Sequence, residues 1–395
     1  MYFIALLGLL HAYIGWRVVP DLGAPVRVAG AVVLLASYAL MLLALLARSR
    51  LPRSQAARLA GPGLFMAGFF SSLLVLTLLR DFLLLAGILA LSPPHVYMLR
   101  SVTAAAVAVL AVVATAIGFA SARRRARIVN VDIPIQNLPQ ALHGFSIAQI
   151  SDVHVGSAIQ KKYVEAIVDA VNGLHPDLIA VTGDIVDGSV GELESHTAPL
   201  AKLSARHGAF LVTGNHEYYS GASPWIAEFR RLGLKVLLNE HAVLTHDGAP
   251  IVVAGVTDYS SHHFNPAERS DPAAALAGAP KEAGARILLA HQPRSASAAA
   301  TAGYDLQLSG HTHGGQFWPW NLFVRFQQPF TAGLHRLNKL WVYVSRGTGY
   351  WGPPNRFGAP SEITRLRLVP AAGLRESVTR GPHSAAASVR PPLAA

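Results

Sequence analysis

Cysteine is absent from this chain, which excludes disulfides and thiolate-bound metal sites while leaving the redox compartment open. Charge is scarce as well. Only 14% of residues are charged against 52% hydrophobic, and the mean hydropathy is +0.36, too apolar for a purely soluble protein, where about a quarter of residues are charged. Acidic residues are the scarcer kind, 22 against 33 Lys and Arg, for a formal charge of +11. Such an excess would suit nucleic acid, but the largest basic clusters flank apolar runs and read as membrane-surface contacts, so no nucleic-acid partner is expected. The length, 395 residues, admits two domains.

What is present divides at about residue 122. Met1 to about Trp16 is apolar and lacks the basic start of a signal peptide, so an uncleaved membrane helix is expected. Val26–Leu46 is long enough to cross a bilayer. The run 64–91 contains Arg80-Asp81; the piece after the pair is only about ten residues, too short for its own crossing, so the run reads as one span. The pair itself is expected at an interface or paired inside the bundle, in a structural role. Val102–Ala120 is the fourth span. Arg48, Arg50, Arg53 and Arg58, and the exit run Arg123-Arg124-Arg125 with Arg127, place both basic loops, and with them the carboxy-terminal domain, on the cytoplasmic side of the cell (inner) membrane. Two crossings at Arg80 would reverse that domain. The expected division is a transmembrane region 1–122, a second domain 123–370 and a disordered tail 371–395 rich in Ala, Ser, Pro and Arg.

Beyond about Val129, short apolar runs alternate with amphipathic stretches, the pattern of layered α/β architecture. Strands are expected at 145–150, 178–182, 210–213, 236–238, 251–254, 286–290, 306–308, 341–344 and 363–368, and helices at 161–174 and 224–232. Polar residues gather where the strands end. Asp152 and His154 follow the first, Asp184 the second, Asn215 and His216 the third, His291 the sixth, and His311 and His313 the seventh. Mixed imidazole, carboxylate and amide-oxygen ligands suit Mn, Fe or Zn, and a pair of ions needs a bridging carboxylate with terminal ligands on each side. Strand alternation would point Asp152 and His154 to one face. His311 and His313 have the same spacing, and either one ion or two neighbouring ions would fit them. His175, His196, His207, His241, His246, His262 and His263 match no such block and read as loop or surface residues.

The blocks ISDVH, GDIVDG, GNHE, AHQP and GHTH resemble, in order, the signature of the calcineurin-like metallophosphoesterases over about residues 130–370. The resemblance implies a four-layer αββα sandwich of two mixed sheets between helices, with the site at the carboxyl ends of the strands. It implies that Asp152, His154, Asp184 and His313 hold one divalent ion and that Asp184, Asn215, His291 and His311 hold the second. A hydroxide between the ions would be the nucleophile and His216 the proton donor to the leaving group or an electrostatic stabiliser, with Glu217 and Asp187 orienting ligands from behind.

Ser345-Arg346-Gly347-Thr348-Gly349 and Gly352-Pro353-Pro354-Asn355-Arg356-Phe357 look like the bacterial membrane-associated branch that holds the YaeI and YkuE phosphodiesterases. Arg346 would either contact phosphate or order its own loop. Phe317, Trp318, Trp320, Phe323, Phe326 and Phe330, with Arg325, would form a lipid-facing surface or simply pack. The expected activity is hydrolysis of a phosphodiester or pyrophosphate, with a lipid-linked substrate such as UDP-diacylglucosamine as the candidate. A soluble nucleotide or cyclic nucleotide diester, and a transporter or receptor whose second domain only binds ligand, are the alternatives. Oligomeric state is left open.

Overall fold

The computed structural model describes residues 2–50 and 53–371; the expected tail lies, except for residue 371, outside the described residues. Four helices, α1 (Tyr2–Val18), α2 (Ala24–Arg50), α3 (Arg53–Ala90) and α4 (Pro93–Arg123), are long and apolar enough to cross a membrane. They outrun the expected spans because backbone hydrogen bonding continues past the apolar stretch that hydropathy detects. The helix α3 runs unbroken through Arg80 and Asp81, in agreement with a single span.

Those two residues pair with others rather than with each other. The Arg80 guanidinium, 1% exposed, binds Asp21 and donates to the Arg17 carbonyl and, at 3.1 Å, to Thr103. Asp81 pairs with Arg17 at 2.8 Å and accepts from the Tyr13 hydroxyl at 2.6 Å, while Arg100 closes on Asp21 at 3.0 Å. One ionic layer thus joins α1, the α1–α2 turn, α3 and α4. Charges packed between apolar helices are tolerated because each has a partner.

The rest of the described chain is a sandwich. Its strands are β1 (Arg127–Ile135), β2 (Ser146–Ile150), β3 (Leu178–Val181), β4 (Ala209–Leu211), β5 (Lys235–Val236), β6 (Glu240–His246), β7 (Ala249–Gly255), β8 (Ala285–Leu289), β9 (Leu306–Ser309), β10 (Gly333–Leu337), β11 (Leu340–Val344) and β12 (Glu362–Pro370). They form two mixed six-stranded sheets, ordered β1-β12-β2-β3-β4-β5 and β10-β11-β9-β8-β7-β6. Period-2 alternation builds the layers. Ile147, Leu178 and Phe210 of the first sheet meet Ile251, Val253 and Ile287 of the second. Ala148, Ile179 and Val181 turn the other way, onto α5 (Lys161–Asn172), which follows β2, and onto a later helix that carries Trp225 and Phe229. On the far side, Ala254, Leu288 and Val342 pack against short helices that contribute Ala275, Ala296 and Ala299.

The expected strands are present within a few residues, and the strands not anticipated, β1, β6 and β10, all lie at sheet edges. An edge strand buries less of its surface, so its sequence lacks the continuous apolar run of a central one. One histidine departs from expectation. His246 is buried, 3.0 Å from His207, with both rings against Phe145.

Candidate metal centre

Five strands, β2, β3, β4, β8 and β9, end side by side, and the loops after them bring together all seven residues expected as ligands. The strand-alternation argument for Asp152 and His154 does not hold: β2 stops at Ile150, and the two side chains converge by another route. Asp152, His154, Asp184, His311 and His313 all adopt left-handed backbone, with φ of 52°, 55°, 54°, 69° and 52°. Each costs on the order of 1–3 kcal/mol for a residue with a Cβ, and such strain persists where the surroundings over-determine it. The glycines of two motifs have a steric reason. A Cβ on Gly214 would collide with the Asp184 carboxylate, and one on Gly310 with Ser151 and Asp152.

Potential ligand atoms of Asp152, His154 and His313 lie within 4.8 Å of one another, as do those of Asp184, His291 and His311, and those of His154, Asp184 and His216. His311 and His313 therefore part company, one to each cluster. Asp184 belongs to two of the three groups: its Oδ2 is 3.1 Å from His291 Nε2 and 4.0 Å from both His154 Nε2 and His216 Nε2. The hydrogen bonds behind these rings fix which nitrogen faces inward. The His154 Nδ1–H donates to Asp187 at 3.0 Å and the His291 Nδ1–H donates to the Thr182 carbonyl at 2.7 Å, so each Nε2 points into the site. His154 Nε2 then faces His313 Nε2 at 3.0 Å, and His291 Nε2 faces His311 Nδ1 at 3.2 Å.

Imidazoles and carboxylates crowded into a buried place form a donor set that a cation would satisfy. The buried Asp152 Oδ2 and Asn215 Oδ1, both without any hydrogen-bond partner, are the oxygens there that call for one. The donor set, imidazole with carboxylate and amide oxygen and no sulfur, fits ions of intermediate hardness. The electrostatics agree. Burial opposes ionisation of Asp184, yet His291, His216 and His154 hold its carboxyl well below the usual range. Burial depresses His291, but Asp184, Asp152 and Asp258 raise it well above an ordinary imidazole. His311 falls to about 3 through burial and the neighbouring His291.

Asp187 and Glu217 stand behind the candidate ligands, by two different means. Asp187 Oδ1 receives both His154 Nδ1–H and, at 2.6 Å, His216 Nδ1–H. Burial would raise Asp187, but His154 and His216 hold it at about 2. Glu217 is fully buried and accepts from the backbone amides of Gly214 at 2.7 Å, Asp184 at 2.9 Å and Ile185 at 2.7 Å, so it binds the Asp184 loop to the Asn215 loop. Arg346 is engaged by Glu362 at 3.0 Å, the loop-ordering arrangement.

Four residues were not anticipated in their roles. Arg356, 1% exposed, donates to His313 Nδ1 and to the His313 carbonyl, each at 3.0 Å, and to the Arg346 carbonyl at 2.7 Å. Burial lowers its pKa only to about 10, so it remains charged. The Trp351 ring stands edge-on to His216, with centroids 5.6 Å apart. Asp258, after β7, holds Gln292 at 3.1 Å; an acid following an apolar strand was its only signal. Arg294 joins Tyr259 and Gln292 in lining an open polar cleft of about 440 Å³ beside Asn215 and His311.

A two-sheet α/β sandwich with histidines and carboxylates at adjoining strand ends defines the class. The family model of calcineurin-like phosphoesterases matches residues 145–315. The chain is 36% identical over 274 residues to a transmembrane protein with metallophosphoesterase domain from Danio rerio, covering 66% of this chain and 62% of that protein. It is 40% identical over 258 residues to an uncharacterized metallophosphoesterase of Helicobacter pylori, covering 64% and 66%. With the uncharacterized metallophosphoesterase YkuE of Bacillus subtilis it shares 31% identity over 249 residues, 58% of this chain and 81% of that protein. The chain thus spans less than two thirds of the first two relatives, and it belongs to the calcineurin-like metallophosphoesterase family.

Proposed function

We propose that this chain is a membrane-anchored, two-metal phosphoesterase that hydrolyses a phosphodiester or pyrophosphate. Asp152, His154, Asp184 and His313 would hold one ion and Asp184, Asn215, His291 and His311 the other, with Mn, Fe and Zn all suited to the donors. The observation that carries the reading is the placement of Asp184 Oδ2 between His154 and His291. Bound divalent ions supply Lewis acidity toward the phosphate oxygens and lower the pKa of water. His216 stands ready to protonate the leaving oxygen from Nε2: its Nδ1–H is engaged by Asp187, and although burial works against it, that bond and the Asp184 charge raise its pKa. As the phosphorus–oxygen bond to the leaving group breaks, that proton keeps an alkoxide from departing as an anion.

The basic ends of α2 and α4 support a cytoplasmic site at the cell membrane. A site held against membrane helices favours a lipid-linked substrate, of which UDP-diacylglucosamine is an example. The absence of cysteine makes single-cysteine labelling clean: a cysteine at Arg269 should react with an impermeant maleimide only after intact cells are opened, and reaction in intact cells refutes the orientation.

Detergent-solubilised protein supplied with Mn should hydrolyse UDP-diacylglucosamine and, less well, bis-p-nitrophenyl phosphate. Asp184→Asn should lower both rates by on the order of 10²–10³-fold and reduce the metal content of both sites. His216→Ala should cost about 10²-fold on an alkyl leaving group and far less on p-nitrophenolate, which departs without a proton. Unchanged hydrolysis in Asp184→Asn would overturn the mechanism, and activity confined to soluble nucleotide diesters would move the substrate to that class.

A further inference from the structure

The segment 351–357 leaves the metal centre and ends against the membrane helices. At one end is Trp351, beside His216. Its backbone is held by Gln316, which accepts from the Trp351 amide at 2.8 Å and donates to the Trp351 and Pro353 carbonyls at 2.7 and 3.0 Å. At the other end Arg356 donates its backbone N–H to the Gly118 carbonyl of α4 at 3.0 Å, and Pro353 and Asn355 lie against Gly68 of α3. Trp320 of the neighbouring aromatic loop donates to the Ser71 hydroxyl of α3 at 2.8 Å. Six residue steps separate Trp351 from Phe357, at most about 20 Å of chain.

Between these contacts is a crevice of about 180 Å³, walled by Leu76 of α3, by Leu110, Val113 and Ile117 of α4, and by Trp318 and Phe357. Its wall is almost wholly carbon, with Ser72 and Asn355 as its polar residues. Leu110, Val113 and Ile117 are 51%, 45% and 52% exposed, so the crevice is open on the side where α4 would meet lipid. Its depth follows from helix rise. Ser72 and Ala114, also in its wall, stand about 12 and 21 Å from Arg80 and Arg100, and about 21 and 14 Å from the basic positions 58 and 123. The uncharged stretches between those layers are each about 30 Å, one hydrocarbon thickness. The crevice is therefore inside the apolar slab, and the partly exposed Trp320 meets α3 at Ser71, next to the lining residue Ser72.

We infer that this crevice seats an acyl chain of the substrate, admitted sideways from the bilayer, while the phosphoester reaches the metal centre along segment 351–357 and the polar remainder occupies the cleft at Arg294. The inference rests on the lipid-linked reading above and locates it. An aqueous partner would gain nothing from a carbon-lined opening at this depth, whereas a chain already in the bilayer transfers into it without loss of solvation. The polar cleft and the apolar crevice lie at different ends of one site, an arrangement matched to a phosphoester with unlike substituents.

The test uses the full chain in phosphatidylethanolamine–phosphatidylglycerol vesicles. A phosphatidic acid with a diazirine near the end of one acyl chain should label residues 353–357 on irradiation, and Ala114→Trp or Ile117→Trp, each of which fills the opening, should cut that label about fivefold. The same variants should lower the ratio of UDP-diacylglucosamine to bis-p-nitrophenyl phosphate turnover about tenfold, because a filled crevice displaces the chain and with it the phosphoester. Two variants at separate positions guard against misfolding of one. Absence of label on 353–357, label unchanged in both variants, or an equal loss on both substrates would overturn the inference. Hydrolysis of the lipid substrate with no effect of either variant would defeat the crevice and leave the substrate class standing. Blocked labelling with no lipid hydrolysis would support the crevice and defeat the substrate class.

Discussion

Each half of this chain buries one arginine almost completely, and the two are held in opposite ways. Arg80, among the membrane helices, has a carboxylate partner in Asp21 and sits in a layer that also contains Arg17, Asp81 and Arg100. Arg356, in the α/β half, meets no carboxylate among the described contacts; it is surrounded by the carbonyls of Gly349, Arg346 and His313 and by the His313 ring. Between helices without water, a compact ion pair satisfies the charge and joins four elements at one level. At the mouth of a metal centre, a planar fork with five donors instead fixes the course of a loop, and through it a ligand. One arginine holds the anchor together, and the other joins the site to the anchor.

That contrast can be broken in order of effect. Arg356→Met strands several buried carbonyls, each worth about 1–3 kcal/mol. We expect the largest loss here: at least about 4 kcal/mol of stability by denaturant unfolding, with metal content lowered because His313 loses its support. Full metal content in that variant would reduce Arg356 to loop packing. Arg80→Met leaves Asp21 to Arg100 alone, so a loss of about 3 kcal/mol is expected, read as a lower melting temperature in detergent with metal content unchanged. A fall in metal content there would show that the two halves do not behave separately.

The smallest effect lies far from both arginines. Burial, and then the nearby His246, lowers the pKa of His207. As pH falls below about 6.5, the unfolded chain takes up a proton that folded His207 resists, so stability present above that pH is lost on the way down toward the lowered folded value. His207→Leu should flatten the decline in melting temperature between pH 7 and pH 5 compared with the native chain; an unchanged slope would remove His207 as a contributor.

Much of the site could be read from the chain because its ligands come in short blocks at strand ends, and a strand end is a local property. The aromatic stretch shows where local reading stops. Phe317 is buried and Phe330 packs on His335, whereas Trp320, Phe323 and Phe326 remain exposed, with Trp320 bonded to Ser71 of α3. Composition gave both outcomes equal weight, since the partner, Ser71, is 249 positions away. Arg346 and Arg356 make the same point: both stand in glycine-rich or proline-rich loops, and only their distant neighbours separate loop-ordering from support of a ligand.

By itself the sequence determined the four apolar helices, the alternation of strands and helices, and the order of the polar blocks at strand ends, all of them properties of residues close in the chain, while the sandwich and the seven prospective ligands were implied by the family resemblance of those blocks. The tertiary structure decided that Arg356 supports His313, that Trp351 stands beside His216, and that segment 351–357 runs from His216 to Gly118. Those contacts join residues tens to hundreds of positions apart, and only close packing of two sheets against a helix bundle fixes which of them meet.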